Sequence, residues 1–260
     1  MARTSTRDRL RRELSQNFLS PAAARRFVRV ARPAPDALVL EVGAGRGAVT
    51  AELASVCGEV VAYELDPHHA RFLRDRFATG PHPVTVVRGD FLGARAPDGR
   101  FEVVGNVPFS RTSDVVAWCL AAPRLDRATL VTQWEYARKR TGGYGRWTLR
   151  TVRTWPTFSW TLAGRIARTE FRPQPRVDAG VLRLTRQPVP LLPAQFLGAY
   201  EELVDIGFTG RGGSLHASLR PHVPRRVLDR AFAGAGIERT EVVADVSPSQ
   251  WIRLAEELLD

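Results

Sequence analysis

A tetrapeptide at the end of a predicted buried strand places a hydrogen-bond acceptor beside an aromatic ring. It consists of Asn106, Val107, Pro108 and Phe109. The Asn106 amide oxygen and a nearby backbone carbonyl could accept hydrogen bonds from an exocyclic amino group while Phe109 stacks on the flat base that carries it. Pro108 would stiffen the turn and remove a competing backbone donor. Taken alone, the four residues also match an ordinary strand-to-loop turn, because short motifs occur by chance.

A glycine-rich segment upstream is typical of a loop that approaches a nucleotide. Gly43, Gly45 and Gly47 follow the first predicted strand, where glycines allow a sharp turn and close approach to a ligand. Gly43, Gly45 and Ala48 also match the dinucleotide fingerprint, and Glu64 lies about 20 residues further on, where an acid that binds ribose is expected. By this feature, NAD and S-adenosylmethionine are both allowed.

The residues after the third and fourth strands narrow this choice. Asp90 and Phe91 suit an adenine amino group and ring, and the less favoured alternative for Asp90 is a loop aspartate that bonds its own backbone. No histidine, lysine or tyrosine near Asn106 provides the proton relay that hydride transfer to a carbonyl usually needs. A sulfonium methyl group is already a strong electrophile and mainly needs alignment. The pattern therefore favours methyl transfer from S-adenosylmethionine.

Alternating strands and helices must position these residues. Ser20 and Pro21 open the first helix as N-cap and first-turn proline. The alternation predicts a doubly wound α/β sheet, and two further strands near residues 155–160 and 180–184, with no crossover helix between them, predict an antiparallel edge. The predicted strands cover residues 38–42, 60–63, 84–87, 101–104 and 129–132, and the helices residues 22–28, 48–56, 67–77 and 113–120.

A proline-rich stretch over residues 187–193 ends this pattern, and the sequence after it has a helical period. We therefore expect a cofactor-binding catalytic domain over residues 1–187 and a small all-helical domain over residues 188–260. The first domain begins with a basic N-terminal arm that contains Arg3, Arg7, Arg9, Arg11 and Arg12.

The composition favours a polyanionic partner. The chain of 260 residues carries a formal charge of +11, almost wholly on arginine, and cations displace the counterions of a phosphate backbone. A generally basic surface is the alternative. Cys57 and Cys119 are far apart, and the five histidines form no ligand constellation, so no metal is expected. No apolar run could form a signal or membrane span, so we expect a cytoplasmic protein.

Six motifs in order resemble the rRNA adenine N6-methyltransferase family, which includes the Erm macrolide-resistance enzymes and the KsgA-type dimethyladenosine transferases. Each motif is weak singly, but their order makes chance matching improbable. The motifs are Gln16-Asn17-Phe18-Leu19, Glu41-Val42-Gly43-Ala44-Gly45-Arg46-Gly47, Glu64, Asp90-Phe91, Asn106-Val107-Pro108-Phe109 and Phe171-Arg172-Pro173-Gln174-Pro175-Arg176-Val177-Asp178.

The resemblance implies a Rossmann-like class I methyltransferase sheet with one antiparallel strand, plus a helical domain that helps to hold RNA. It implies that Asn17 and the Leu19 backbone hold the methionine end of S-adenosylmethionine, and that Asn106 accepts from the target N6. The remaining implied roles follow the residue chemistry: Gly43 and Gly45 beneath the cofactor, Glu64 on the ribose, Asp90 and Phe91 on the adenine, and Phe109 on the flipped base. Many relatives have tyrosine where this chain has Phe109, which puts any role of a phenol in doubt.

The segment over residues 133–140 and the arginine-rich composition resemble actinomycete Erm enzymes. This implies methylation of one adenine in the peptidyl-transferase region of 23S rRNA, which confers resistance to macrolides, lincosamides and streptogramin B. We expect the enzyme to be a monomer that needs no protein partner. The alternatives are a KsgA-type enzyme acting on small-subunit rRNA, a DNA adenine methyltransferase, for which no sequence-reading domain can be located, and a non-catalytic RNA-binding or transcription factor.

Overall fold

A seven-stranded sheet forms the centre of the computed structural model, which describes residues 17–80 and 84–259. The basic N-terminal arm and Gln16 therefore lie outside the described residues. The strands of the sheet are β2 (Leu38–Val42), β3 (Glu59–Glu64), β4 (Val84–Arg88), β5 (Phe101–Asn106), β6 (Leu125–Gln133), β7 (Phe158–Ile166) and β9 (Ala179–Arg186). Across the sheet they lie in the order β4-β3-β2-β5-β6-β9-β7.

Five of these strands run parallel, and β9 pairs antiparallel with β6. This confirms the predicted Rossmann-like sheet. β2 is an almost continuous apolar run because it is buried on both faces in the middle of the sheet. The chain moves outward from β2 through β3 to β4 and then returns to β5 on the other side of β2. The gap between β2 and β5 is thus the topological switch point, where ligands of open α/β sheets bind.

Helices α1 (Pro21–Ala31), α2 (Ala48–Ala54), α3 (Pro67–Phe77) and α4 (Thr112–Ala121) connect the first strands. Their starts follow local chemistry. The Ser20 hydroxyl accepts from the Ala23 amide at 3.2 Å, as the sequence predicts for an N-cap. The Asp66 carboxylate accepts from two amides at the start of α3, and Pro67 occupies the first helical position.

Two short segments that are distant in sequence form a second, two-stranded antiparallel sheet. β1 (Phe18–Leu19) pairs with β8 (Phe171–Arg172), so that Phe18 lies opposite Arg172. The Ser20 amide donates to the Glu170 carbonyl at 2.8 Å and extends this contact. Two of the six sequence motifs are therefore one structural feature.

The chain divides into two compact units. The first contains the described residues up to Ala137 together with Thr161–Thr185, and the second contains Arg138–Trp160 and the residues from Arg186 onward. The division after β9 lies close to residue 187, whereas residues 138–160 belong with the helical unit rather than with residues 1–137. The physical reason is an unpredicted helix, α6 (Leu149–Thr154), whose Val152 side chain is buried in the helical core. Because of α6, strand β7 begins at Phe158 and not near residue 155.

Large buried aromatic rings form the centre of the second unit. Trp251, Tyr200 and Phe232 are buried, and the Tyr200 hydroxyl donates to the Val152 carbonyl at 2.8 Å. The helices are α7 (Leu197–Gly207), α8 (Leu215–Leu219), α9 (Arg225–Ala235) and α10 (Pro248–Leu259), and α5 (Trp134–Arg140) lies across the division between the units. No helix in the described part of the chain has the length and apolar content that a membrane span requires.

Candidate functional site

A cleft lies at the carboxyl ends of β2, β3, β4 and β5, around the topological switch point. It encloses about 890 Å³ including the part open to solvent. Every predicted site residue except Leu19 lines it. These residues are Asn17, Gly43, Gly45, Glu64, Asp90, Phe91, Asn106, Val107, Pro108 and Phe109.

The glycine-rich loop after β2 forms one wall of the cleft in a conformation that suits glycine. Gly43, Gly45 and Gly47 have φ values of 69°, 55° and 77°, in the left-handed region that residues with a Cβ avoid. A Cβ on Gly45 would lie 2.6 Å from the Phe18 ring. The backbone therefore turns closely past β1 and leaves no room for a side chain at Gly45.

The Glu64 carboxylate is fixed at the end of β3. Its two oxygens accept from the Gly45 amide at 2.6 Å and the Asp66 amide at 2.7 Å, and the side chain is buried. The carboxylate thus joins the glycine-rich loop to the start of α3. A carboxylate oxygen can accept more than one hydrogen bond, so Glu64 can also bind hydroxyl groups of a ribose.

Asp90 has the local role that the sequence left open, and it also lines the cleft. Its Oδ1 accepts from the Leu92 amide at 3.0 Å, and its Oδ2 lies 3.4 Å from Nη2 of Arg111. Phe91 is buried, with its ring edge-to-face on Tyr63 at 5.5 Å between centroids. Together these contacts hold a carboxylate and an aromatic ring at the carboxyl end of β4.

The Asn106 carboxamide is oriented by a contact from a distant part of the chain. Its Nδ2 donates to the Asn17 carbonyl at 2.6 Å, so the Oδ1 atom is the acceptor that remains for a ligand. The Val107 amide donates to the Val131 carbonyl at 3.2 Å and continues the sheet pairing past the strand end. Gly43 approaches the Asn106 carbonyl, since a Cβ there would be 3.8 Å from this oxygen. The glycine loop and the tetrapeptide are therefore direct neighbours.

Leu19 lies outside the cleft lining. Its side chain is buried in the core, and its backbone pairs with Phe171. Asp178, at the end of the last motif, is also structural in its contacts. Its carboxylate accepts from the Arg168 amide at 2.8 Å and from the Arg165 guanidinium, and these bonds hold its pKa below the usual value. The motif thus secures the chain that leads into β9.

Eight further residues line the cleft although sequence reasoning gave them no role, among them Phe18, Tyr63 and Arg111. Phe18 and Tyr63 are adjacent to predicted site residues, and this adjacency was the available signal. Arg111 had none, because its position depends on the short 3₁₀ turn that begins at Phe109.

A buried carboxyl group lies behind the cleft. Glu41 in β2 is 1% exposed, and its Oε2 has no hydrogen-bond partner within the described ranges. Burial raises its pKa to about 8, and the charge of Glu64 adds to this effect. Glu41 is therefore neutral over much of the physiological pH range.

Residues 17–80 and 84–259 contain no group of three or more side chains that could hold a metal ion. Cys57 and Cys119 are buried free thiols, and burial raises the pKa of both. The cleft chemistry does fit S-adenosylmethionine: a glycine-rich backbone turn, a buried carboxylate for hydroxyls, and an aromatic ring beside a second carboxylate.

Comparison with known proteins gives a consistent result across the chain. The family model for ribosomal RNA adenine dimethylase matches residues 7–260. An rRNA adenine N-6-methyltransferase from Streptomyces fradiae is 56% identical over 247 residues, which cover 94% of this chain and 77% of that protein. The mycinamicin-resistance protein MyrB from Micromonospora griseorubida is 37% identical over 245 residues, covering 94% of this chain and 78% of that protein.

The fold also has a counterpart among solved structures. The crystal structure of the 23S rRNA methyltransferase ErmE matches with a TM-score of 0.90 and 44% identity, covering 94% of this chain and 100% of that one. The family-model match and these identities extend over nearly the whole sequence. The chain therefore belongs to the ribosomal RNA adenine dimethylase family.

Proposed function

We propose that this protein transfers a methyl group from S-adenosylmethionine to N6 of one adenine in the peptidyl-transferase region of 23S rRNA. Such a change would confer resistance to macrolides, lincosamides and streptogramin B. The observation that carries the proposal is the Asn106 carboxamide, whose nitrogen is bound by Asn17 and whose oxygen remains as an acceptor in the cleft. The similarity to the 23S rRNA methyltransferase ErmE supports 23S rRNA as the substrate, and the similarity to the mycinamicin-resistance protein MyrB supports a role in antibiotic resistance.

The cofactor-binding roles follow from the fixed groups of the cleft. Glu64 accepts from the ribose hydroxyls, because two backbone amides already hold its carboxylate in place. Asp90 and Phe91 receive the adenine of the cofactor. Asn17 and the Leu19 backbone hold the methionine end, and Gly43 and Gly45 allow the cofactor to lie against the backbone. Asn106 also borders this space and contributes to it.

The target adenine binds at the tetrapeptide after leaving its stack in the RNA. Phe109 stacks on the base, Val107 and Pro108 shape the turn, and the Asn106 oxygen accepts a hydrogen bond from the N6 amino group. This bond increases electron density on a nitrogen whose lone pair is otherwise delocalised into the ring. It also aligns the nitrogen for attack, the main requirement of this reaction.

S-adenosylmethionine supplies an electrophilic methyl group when bound. A bond forms between N6 and the methyl carbon as the carbon–sulfur bond breaks, and N6 then loses a proton to solvent. The products are N6-methyladenine and S-adenosylhomocysteine, without a covalent enzyme intermediate.

We further propose that the protein acts as a monomer in the cytoplasm, on 23S rRNA that is free of ribosomal proteins or within a ribosome precursor.

The proposal is tested by incubating the protein with radiolabelled S-adenosylmethionine and protein-free 23S or 16S rRNA, followed by primer extension across both. Label at one adenine of 23S rRNA is the expected result. Label at two adjacent adenines of 16S rRNA would instead identify a small-subunit enzyme. Absent transfer, together with absent cofactor binding in calorimetry, would identify a non-catalytic RNA-binding protein.

The variant Asn106→Ala tests the residue that carries the proposal. It removes the acceptor for N6 and the tether to Asn17, so we expect transfer to fall by at least about 100-fold, the magnitude of losing an oriented transition-state contact. Binding of S-adenosylmethionine, measured by calorimetry, should remain largely intact because Glu64 and the glycine loop are unchanged. Equal transfer by the variant and the wild type would refute the role of Asn106.

A further inference from the structure

A glycine-rich loop in the second unit exposes an aromatic ring to solvent. The loop covers residues 141–147 between α5 and α6, and Tyr144 at its tip is 50% exposed. A Cβ added to the next residue, Gly145, would have no atom within 4 Å, so the loop beside Tyr144 is open to solvent on that side. A large aromatic side chain in this position offers an unoccupied surface for a flat ligand.

Backbone hydrogen bonds and a packed ring support the loop despite its glycines. The Gly143 amide donates to the Arg138 carbonyl, and the Gly145 amide donates to the Gly142 carbonyl, both at 2.9 Å. The Trp147 ring packs so closely on Gly142 that a Cβ there would be 2.6 Å away, and Trp147 itself packs against the helical core. The backbone on either side of Tyr144 is therefore held by these contacts, which lowers the entropic cost of binding.

A cation covers one side of the Tyr144 ring. The Arg138 guanidinium carbon lies 4.1 Å from the ring centroid, and its Nη2 donates to the Gly143 carbonyl at 2.6 Å. A ligand must therefore stack on the other side of the ring. The guanidinium would attract a nearby phosphate, so ring and cation together suit a nucleotide.

The charge around the loop indicates which partner binds. Residues 138–160 contain six lysine and arginine residues and no aspartate or glutamate. Acidic residues elsewhere in the unit balance part of this charge, since Arg146 pairs with Asp245 and Arg153 pairs with Glu201. Lys139 is exposed, and the segment keeps a positive excess that favours an RNA partner over a protein surface.

We propose that Tyr144, backed by Arg138, is a stacking platform for an unpaired base of the RNA substrate. This inference rests on the proposed function, because it takes rRNA as the substrate. It assigns the second unit a base contact in addition to phosphate contacts. Stacking tolerates any base, so the platform would contribute affinity and register without reading sequence.

The test compares Tyr144→Leu, which keeps an apolar side chain but cannot stack, with Tyr144→Phe, which keeps the ring. Phe72→Leu in α3 is the matched control, because Phe72 is 49% exposed and has no assigned role. We expect Tyr144→Leu to raise the Kd for protein-free 23S rRNA about ten-fold. Tyr144→Phe and Phe72→Leu should bind like the wild type, and all variants should bind S-adenosylmethionine equally.

Two further measurements separate stacking from a structural role. Ultraviolet cross-linking of the wild-type complex, followed by mass spectrometry, should show a nucleotide adduct on Tyr144. The slope of log Kd against log salt should be unchanged in Tyr144→Leu, because no phosphate contact is lost.

Wild-type binding by Tyr144→Leu, an equal loss in Phe72→Leu, or an adduct pattern that omits Tyr144 would overturn the stacking role. In each of these cases, methyl transfer by the wild type would leave the proposed function intact. Absent transfer and absent rRNA binding by the wild type would overturn both.

Discussion

Phe109 contributes a ring without a hydroxyl to the cleft, half-buried and packed against the core of the first unit. If the ring stacks on the target base, Phe109→Ala should lose about 1–3 kcal/mol of transition-state binding, whereas Phe109→Tyr should be tolerated. The measurement is kcat/KM for 23S rRNA at saturating cofactor, with urea unfolding as the control for lost core packing. Wild-type activity in the alanine variant would remove Phe109 from the proposed mechanism.

The raised pKa of Glu41 should make the folded protein less stable as the pH rises. The folded carboxyl has a pKa of about 8 against 4.5 for the unfolded group, so unfolding releases a proton between these pH values. The wild type therefore loses stability as the pH rises from about 5 to 8.

Glu41→Gln keeps the shape of the side chain and removes the ionisation. The free energy of unfolding of the variant should be close to that of the wild type at pH 5. The variant should become the more stable protein toward pH 8, by at most about 4 kcal/mol. Urea unfolding at several pH values measures the difference. A difference that stays constant with pH would mean that Glu41 is ionised in the folded protein.

At the scale of elements, an ion pair holds the end of α1 to the sheet. Arg127 in β6 lies 2.8 Å from the buried Glu102 carboxylate in β5 and also donates to the Arg32 carbonyl at 2.6 Å. Glu102 in turn accepts from the Ala34 amide at 3.1 Å. The pair thus connects two strands with the chain that leaves the helix.

Arg127→Met should destabilise the protein by about 3 kcal/mol, because it leaves the Glu102 charge buried without its partner. The double variant Arg127→Met/Glu102→Gln should recover part of this loss, since the glutamine keeps an acceptor for Ala34 without the charge. Urea unfolding of the three proteins measures both effects. A single variant within about 0.5 kcal/mol of the wild type would show that solvent stabilises Glu102.

Element boundaries were predictable where the signal is local. The Asp66 cap and Pro67 define the start of α3, and its observed range matches the prediction. Helix α6 escaped prediction because its six residues are too few to establish a period, although the Thr148 hydroxyl caps it. Its apolar residue Val152 becomes informative only when the core that buries it is known.

At the scale of the whole molecule, the charge of +11 should dominate RNA affinity. Each phosphate neutralised releases condensed counterion, so log Kd for rRNA should rise with log salt with a slope of about 4 or more. Cofactor binding involves far fewer charges and should change little over the same range. Filter binding measures the slope for rRNA and calorimetry the slope for the cofactor. Both are carried out between about 50 and 200 mM salt, a range over which electrostatic losses of affinity are large. Salt-independent rRNA binding would contradict an electrostatic contribution from the arginines.

The family and the sheet were predictable from sequence, and both predictions are confirmed. The reason is that the motifs lie at the ends of consecutive parallel strands, and such ends meet at one edge of the sheet whatever the rest of the chain does. Gly43, Glu64, Asp90 and Asn106 therefore had to converge once the strands were recognised.

What only the tertiary structure decided depends on contacts between distant parts of the chain. The pairing of Phe18 with Arg172, the orientation of Asn106 by Asn17, and the membership of residues 138–160 in the helical unit have no local signal. Caps and periodicity are set by neighbours within a few residues, so sequence reveals them. A hydrogen bond across 89 positions is set by how the whole chain packs, and only the folded molecule shows it.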